Sequence, residues 1–368
     1  MKPMQITGGG DREPSASTRR CWLWILGGIL VFFGLVSILV REAEADAASL
    51  SSSSLRARVA AASHAASATG ELVPSDTSFL LVRDEMIGVS VIVSFIAPRS
   101  SASAATATAT SSAAASAALS ASDPFAPENR EKGLTVVGAG NFPRPRAGYS
   151  VLLNKFGTVP DHVLLVTEAF EPQGAAPLSP ADLGAFYELV SQLPGVGFYN
   201  SGEAAGASQP HKHMQAVPLD VLAAIARADR DSAAPGPVFS PPMDELLSGR
   251  AQAGATGVTQ LPELPFAHGF AALPDEPSSA TLGAVYQALL DFVGLLPVSR
   301  GSPMAPYNLV LTKKWILVVP RSRRMHGGVD VNGMGFMGCL LARGEEARAT
   351  LRETAPSAIL RGVGYAPM

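Results

Sequence analysis

The chain has 368 residues, with 28 Lys and Arg against 31 Asp and Glu and a formal net charge of −3, so nothing global points to nucleic-acid binding. Its two cysteines, Cys21 and Cys339, exclude a disulfide framework and a cysteine-based zinc site. The length suffices for a full core and for two domains, and the 47% hydrophobic content is raised by alanine and by one membrane-length segment.

After a tail over residues 1–20, Cys21 to Val40 is a run of mostly apolar, uncharged residues. As a helix it would be about 30 Å long, enough to cross the hydrocarbon core. Arg19 and Arg20 precede it, and Glu42, Glu44 and Asp46 follow Arg41, which favours a cytoplasmic N-terminus. Residues 21–40 are therefore expected to act as a transmembrane or signal segment. Residues 41–71 read either as a disordered Ser/Ala-rich stalk or as a transit-like segment with Arg56 and Arg58 but no early acidic residue. The second reading resembles the two-part leaders of algae with complex plastids. Expected locations are thus a membrane, through a single-pass anchor, or an organelle such as a plastid.

The folded part is expected to start with a lobe over residues 72–230. Phe79–Arg83 and Gly88–Ile96 read as its opening pair of strands. Residues 100–122, almost wholly Ser, Ala and Thr, bury too little side chain to offset their ordering entropy and read as a disordered insertion. Thr135-Val-Val-Gly-Ala-Gly140 suggests a dinucleotide turn, but Pro143 and Pro145 would break the helix that such a turn requires. Tyr149–Lys155 and Asp161–Thr167 read as a strand pair. Ser179-Pro-Ala-Asp182 caps a helix carrying Leu183, Phe186, Leu189, Val190 and Leu193, and Gly197–Asn200 is a further strand. Residues 231–265 read as a Pro/Gly-rich connector and 266–368 as a second lobe, with a helix over Thr281–Leu296. The strands Tyr307–Lys313 and Ile316–Val319 repeat the pattern of Tyr149–Lys155 and Val163–Val166, an internal duplication. The order of elements predicts an α+β fold with antiparallel pairing.

The chemistry concentrates between Phe198 and Leu219. A loop of small residues, Gly206-Ala207-Ser208-Gln209, runs into His211-Lys212-His213-Met214-Gln215. Imidazole is nucleophilic near neutral pH without prior loss of a proton. On a strand, His211, His213 and Gln215 share one face, and beside a loop of free N–H donors they make a site for attack on phosphate. Two imidazoles on one strand face also suit a metal, although the remaining histidines form no ligand-spaced cluster, and two packed histidines without a role are the third reading. The flanking loop and Gln215 favour phosphate.

These residues, together with Asp123-Pro-Phe125, Asn154-Lys155-Phe156, His162–Thr167, Asn200-Ser-Gly202, Tyr307-Asn308, Pro320-Arg-Ser322 and Asn332–Gly338 in order, resemble the ATP adenylyltransferases. These are the diadenosine tetraphosphate phosphorylases, in the galactose-1-phosphate uridylyltransferase-like branch of the histidine-triad superfamily. The resemblance covers roughly 72–368. It implies a histidine-triad-like antiparallel sheet with helices in two pseudo-repeated lobes. It also implies conversion of diadenosine tetraphosphate and phosphate to ATP and ADP through a covalent histidine–AMP. By the same resemblance His213 is the nucleophile, and His211 orients it. The nucleotide is bound by Asn154, Lys155, Asn200, Gly206, Ala207, Ser208, Gln209, Gln215, Asn332, Gly333, Met334, Cys339 and Arg343. Lys155 would be a fixed cation, Gln215 a neutral donor and His162 structural, while Arg321, Arg323 and Arg324 either meet phosphate or form an ordinary charged turn. The chain departs from the family at Ile96-Ala-Pro-Arg99 and at Arg343, where lysines are usual, and at Gly333, where a larger residue is. No metal site and no nucleic-acid partner is expected, and magnesium would enter only with the nucleotide. A hydrolase of dinucleoside polyphosphates and a membrane-tethered nucleotide-binding protein without turnover are the alternatives.

Overall fold

Val151, Leu153, Val163 and Leu165 pack into one apolar cluster, and the alternate residues Leu152, Leu164 and Val166 pack into another. Their strands are therefore covered on both faces. The computed structural model describes residues 54–73, 77–96, 123–142, 148–228, 242–252, 257–295 and 304–368, those from Leu55 onward within one compact unit. The segment 21–40 and the insertion 100–122 lie outside the described residues. Among the described residues no helix is long and apolar enough to cross a membrane.

The strands are β1 (Thr77–Asp84), β2 (Val89–Ile96), β3 (Thr135–Phe142), β4 (Tyr149–Leu153), β5 (Val163–Thr167), β6 (Gly195–Ser201) and β7 (His213–Pro218). They continue as β8 (Val258–Thr259), β9 (Gly269–Ala272), β10 (Tyr307–Leu311), β11 (Trp315–Pro320), β12 (Met325–His326), β13 (Val329–Asp330) and β14 (Cys339–Arg343). Nine of them form one antiparallel sheet in the order β3-β4-β5-β7-β6-β10-β11-β9-β8. The other five form a sheet ordered β1-β2-β14-β13-β12, in which β2 and β14 run parallel.

Helices α1 (Leu55–Ala68), α2 (Pro180–Gln192) and α5 (Ser279–Phe292) cover one face of the large sheet. The opposite face meets the small sheet, together with α3 (Leu219–Ala228), α4 (Pro242–Gln252), α6 (Gly344–Glu353) and α7 (Pro356–Val363). Helix α2 starts at a full capping box: Ser179 accepts from the Asp182 N–H while Asp182 accepts from the Ser179 N–H, two end donors satisfied reciprocally.

Two expectations are corrected. The stretch 41–71 is not a stalk throughout, because α1 belongs to the core. Leu55, Val59 and Ala66 are buried, Arg56 bridges Asp161 and Asp220, and Arg58 donates to the Val136 carbonyl. Alanine is the best helix former and permits close packing, so a composition that reads as low complexity here folds. The connector 231–265 likewise contains α4 and β8, and Met243 and Leu247 of α4 are fully buried.

The duplication also has a different register from the expected one. The unit hairpin–helix–hairpin occurs as β4-β5-α2-β6-β7 and again as β8-β9-α5-β10-β11. In the sheet the units meet along β6 and β10 as mirrored orders, β4-β5-β7-β6 against β10-β11-β9-β8. The β10–β11 hairpin is thus the counterpart of β6–β7, not of β4–β5.

Candidate active site

Strands β6 and β7 pair from Gly195–Pro218 to Phe198–Gln215 and then part around residues 202–212. The loop between them opens in a short 3-10 turn, Glu203–Ala205, and Gly206 follows at φ 92°. A Cβ at Gly206 would stand 2.9 Å from Asn332 Cβ, so both the backbone angle and the close approach require glycine. The N–H groups of Gly206 and Ala207 are already bonded, to the carbonyls of Glu203 and Gly202. Of the expected loop donors, only the N–H groups of Ser208 and Gln209 find no acceptor among the described residues.

Alternation along β7 places His211, His213 and Gln215 on the sheet face away from α2 and turns Lys212 toward α2, where it pairs with Asp182. His211 is closed at both ring nitrogens. Nδ1 meets Asp123 Oδ2 at 2.7 Å, and Nε2 lies 3.0 Å from both the carbonyl and the hydroxyl of Thr167. The Thr167 hydroxyl donates to the Ala169 carbonyl, so it accepts from His211. His213 is different. Its Nδ1 is 2.8 Å from the His211 carbonyl, which can only accept, so Nδ1 carries the proton and Nε2 keeps its lone pair. Burial pushes the His213 pKa down to about 4, against the opposing effect of the His211 carbonyl. The ring is therefore neutral at neutral pH. Phe125 packs on it with ring centroids 5.1 Å apart.

Gln215 is oriented by a chain of side chains. Asn154 Nδ2 donates to His162 Nδ1 at 3.3 Å, and His162 Nε2 then donates to Gln215 Oε1 at 3.0 Å. With its oxygen occupied, Gln215 has its NH2 left to donate. Burial also pushes the His162 pKa down to about 4, in keeping with a neutral ring that accepts on one side and donates on the other.

A cleft lies between the two sheets beside His162. Phe198, Val217, Leu222, Ile92, Asn332, Met334 and Cys339 are in its wall. Burial pushes the Cys339 thiol up to about 12, so it lines the cleft as an apolar group. Asn332 caps the 3-10 turn Gly333–Met337 by accepting from the Met334 N–H. The Gly333 N–H donates to Asn200 Oδ1 at 2.9 Å, and Asn308 Nδ2 donates to the same oxygen at 2.9 Å. The smaller residue at 333 has a steric reason, since a Cβ there would lie 2.9 Å from Phe198 Cβ.

Asn332, Met334 and Cys339 thus line the cleft, Gly206 approaches Asn332, Asn200 holds Gly333, Gln215 meets the cleft-lining His162, and His211 and His213 follow the loop. Lys155 instead pairs with Glu131 and is partly exposed, and Arg343 ends β14, two residues beyond the cleft-lining Leu341. Arg321 is 1% exposed. It donates to Asn308 Oδ1 and to the carbonyls of Ala205, Arg323, Arg324, Val331 and Val363. It is a buried tie between two site loops and is not left open for phosphate, while the partly exposed Arg324 pairs with Asp330. Asp123, Phe125 and Asn308 lie in stretches that carry the resemblance but had no role assigned there, and Gln173, which no motif marks, joins them in this assembly.

A family model described as the Ap4A phosphorylase N-terminal domain matches residues 45–229, and one described as the ATP adenylyltransferase C-terminal domain matches residues 262–366. The chain is 31% identical over 261 residues to Diadenosine 5',5'''-P1,P4-tetraphosphate phosphorylase 2 of Saccharomyces cerevisiae, covering 63% of this chain and 72% of the relative. It is 30% identical over 250 residues to Protein APA1 of the same yeast, covering 61% and 70%. Its structure is similar to that of yeast Ap4A phosphorylase Apa2 in complex with Ap4A, with a TM-score of 0.64 at 26% identity over 85% of this chain and 98% of that one. The complex of Apa2 with AMP gives a TM-score of 0.63 over the same shares. Matched along both halves, this chain belongs to the Ap4A phosphorylase and ATP adenylyltransferase family.

Proposed function

We propose that this protein is a nucleotidyltransferase that cleaves diadenosine tetraphosphate (Ap4A) with inorganic phosphate to ATP and ADP. The observation that carries the proposal is the state of His213: a neutral buried ring whose Nδ1 proton is held by the His211 carbonyl, leaving Nε2 as the open nitrogen. Nε2 attacks the α-phosphorus of one adenylyl group. The N–P bond forms as the P–O bond to the rest of the substrate breaks, and ATP leaves. Inorganic phosphate then attacks the histidine–AMP, the N–P bond breaks, and ADP departs with the ring restored. Charge on the non-bridging oxygens is met by the Gln215 amide and by the main-chain N–H groups of Ser208 and Gln209. The cleft beside His162 takes the nucleoside, with Asn200, Asn332, Gly333 and Met334 fixing its wall. Magnesium, in this proposal, arrives on the substrate's phosphates.

The test is product analysis on the full chain with Ap4A, with and without phosphate. ATP plus ADP formed only with phosphate supports the proposal. AMP plus ATP without phosphate would make the protein a hydrolase, and binding without turnover would make it a nucleotide-binding protein. A labelled adenylyl adduct should form in the absence of phosphate and vanish in His213→Ala.

We further propose that residues 21–40 enter a membrane, as an anchor or as the first part of a leader to an organelle, on the strength of their uncharged run. Helix α1 limits any removable leader to residues before Leu55, because Leu55 and Val59 are core. A fluorescent fusion of residues 1–54 tests this; diffuse fluorescence would refute it.

A further inference from the structure

Continuing the β6–β7 register past Phe198–Gln215 would set Asn200 opposite His213. The strands have parted there, and the gap is filled by the side chain of Gln173. Its Oε1 accepts from the His213 N–H at 2.9 Å, and its Nε2 donates to the His213 carbonyl at 3.2 Å and to the Asn200 carbonyl at 2.9 Å. A primary amide offers one acceptor oxygen and two N–H donors. All three kinds of contact are made, so the side chain takes the place of a missing peptide group between two strands.

Gln173 is itself held from both sides. Its N–H donates to the Pro210 carbonyl at 2.7 Å, and the Lys212 N–H donates to the Glu171 carbonyl at 2.7 Å, with a bridge between Pro172 and His211. On the other side, the Gly174 N–H donates to the Tyr199 hydroxyl at 3.0 Å. A Cβ at Gly174 would stand 2.6 Å from the Gly202 nitrogen, so the backbone passes there at a distance only glycine allows.

We propose that Gln173 is a positioning residue for the nucleophile: it fixes the main chain of His213, and through it the direction of Nε2, at the point where the sheet no longer does. The ring is tied by Nδ1 to its own strand, so any rotation of the 213 peptide swings Nε2 with it. Gln173 touches no reacting atom in this role. The inference rests on the histidine–AMP reading above.

Two variants of similar length test it. In Gln173→Glu a carboxylate oxygen would replace the NH2 group and face two carbonyl oxygens; in Gln173→Met all three hydrogen bonds are lost without added charge. Single-turnover formation of the adenylyl adduct from Ap4A should slow about a hundredfold in both, the order expected of a misplacement near 1 Å. KM for Ap4A should stay within about threefold, since the cleft is untouched. Rates are normalised to the folded fraction from thermal unfolding, and Gln173→Met serves if the glutamate variant does not fold. A rate within about threefold of wild type in a folded variant overturns the proposal. A raised KM with unchanged kcat overturns it too, by placing Gln173 on the substrate. If wild type itself forms no adduct, the histidine–AMP reading fails instead, so the two failures are distinguishable.

Discussion

His268 offers a measurement of how strongly this interior rejects imidazolium. It is fully buried, its Nδ1 donates to the Phe266 carbonyl at 2.8 Å, and its Nε2 accepts from the Leu261 N–H at 2.8 Å. A proton added at Nε2 would face that N–H, and burial has already pushed the pKa from 6.5 to about 4. The folded pKa lies below the unfolded one, so between the two the unfolded chain binds the extra proton. Stability is therefore complete above about pH 6.5 and falls as the pH drops toward about 4. At about pH 5 the unfolded ring is almost wholly protonated and the folded one only about a tenth, which costs the fold about 2 kcal/mol relative to about pH 7.5. His213, equally buried and shifted, adds a similar share. With His162, whose pKa burial lowers to about 4 as well, wild type is expected to lose about 6 kcal/mol between those pH values from these three rings. His268→Gln keeps an acceptor toward Leu261 and removes one titration, so its loss should be smaller by about 2 kcal/mol. Urea unfolding of both proteins at both pH values checks this, comparing differences so that any pH-independent cost of the substitution cancels. An equal pH-dependent loss in the variant would refute the burial argument.

The same shift at His213 sets a kinetic expectation: adduct formation should hold level from about pH 8 to about pH 5.5 and fall with an apparent pKa near the about 4 of the folded ring. A limb centred on about 6.5 in a stopped pH–rate series would show a solvated nucleophile instead. Arg321→Lys should destabilise by about 3 kcal/mol or more in denaturant unfolding, because a lysine cannot reach the several carbonyls that the guanidinium joins. A loss under about 1 kcal/mol would mean that water replaces it. Gly333→Ala should cost about 1–3 kcal/mol, its Cβ pressing on Phe198 and on Asn200 Oδ1. It should also weaken AMP binding in calorimetry, and unaltered affinity would separate Asn200 from the nucleotide.

Local periodicity made the catalytic strand legible. The spacing His211, His213, Gln215 needs only period two, and the glycine-led loop before it reads as a turn, so the cleft side of β7 follows from five residues. The capping box of α2 is equally local. What periodicity hides is long-range pairing: β2 joins β14 in parallel, with Ile92 opposite Cys339, and no nearby residue signals it. That sheet forms one wall of the cleft beside His162. Gln173 carries no motif, because its role depends on where two strands part. Asp123 follows a Ser/Ala/Thr tract, yet it is the residue that closes His211. Composition misleads at α1, where alanine reads as disorder although Leu55 and Val59 stand one turn apart and Arg56 holds Asp161, the neighbour of His162.

The repeated unit explains why only one of the two matching hairpins opens its second strand with an imidazole. Between β6 and β7 the chain spends residues 202–212 on the glycine-bearing loop and the approach to His213. Between β10 and β11, the matching hairpin, only residues 312–314 intervene, and the N–H groups of Thr312 and Lys314 are bonded within the turn. Where the first unit has His213 at the head of its strand, the second has Trp315, wholly buried. The Trp315 indole N–H lies 3.2 Å from both Asp244 Oδ1 and Ser248 Oγ of α4. The position is thus filled by the largest side chain and covered by a helix. Yet the second unit still serves the first across the β6–β10 seam, where Asn308 pairs opposite Asn200 and holds its side chain. Arg321, just past β11, then holds Asn308. One half carries His213, the nucleophile of the proposal above, and the other, having closed its own loop, supports Asn200 and through it the Gly333 turn beside the cleft.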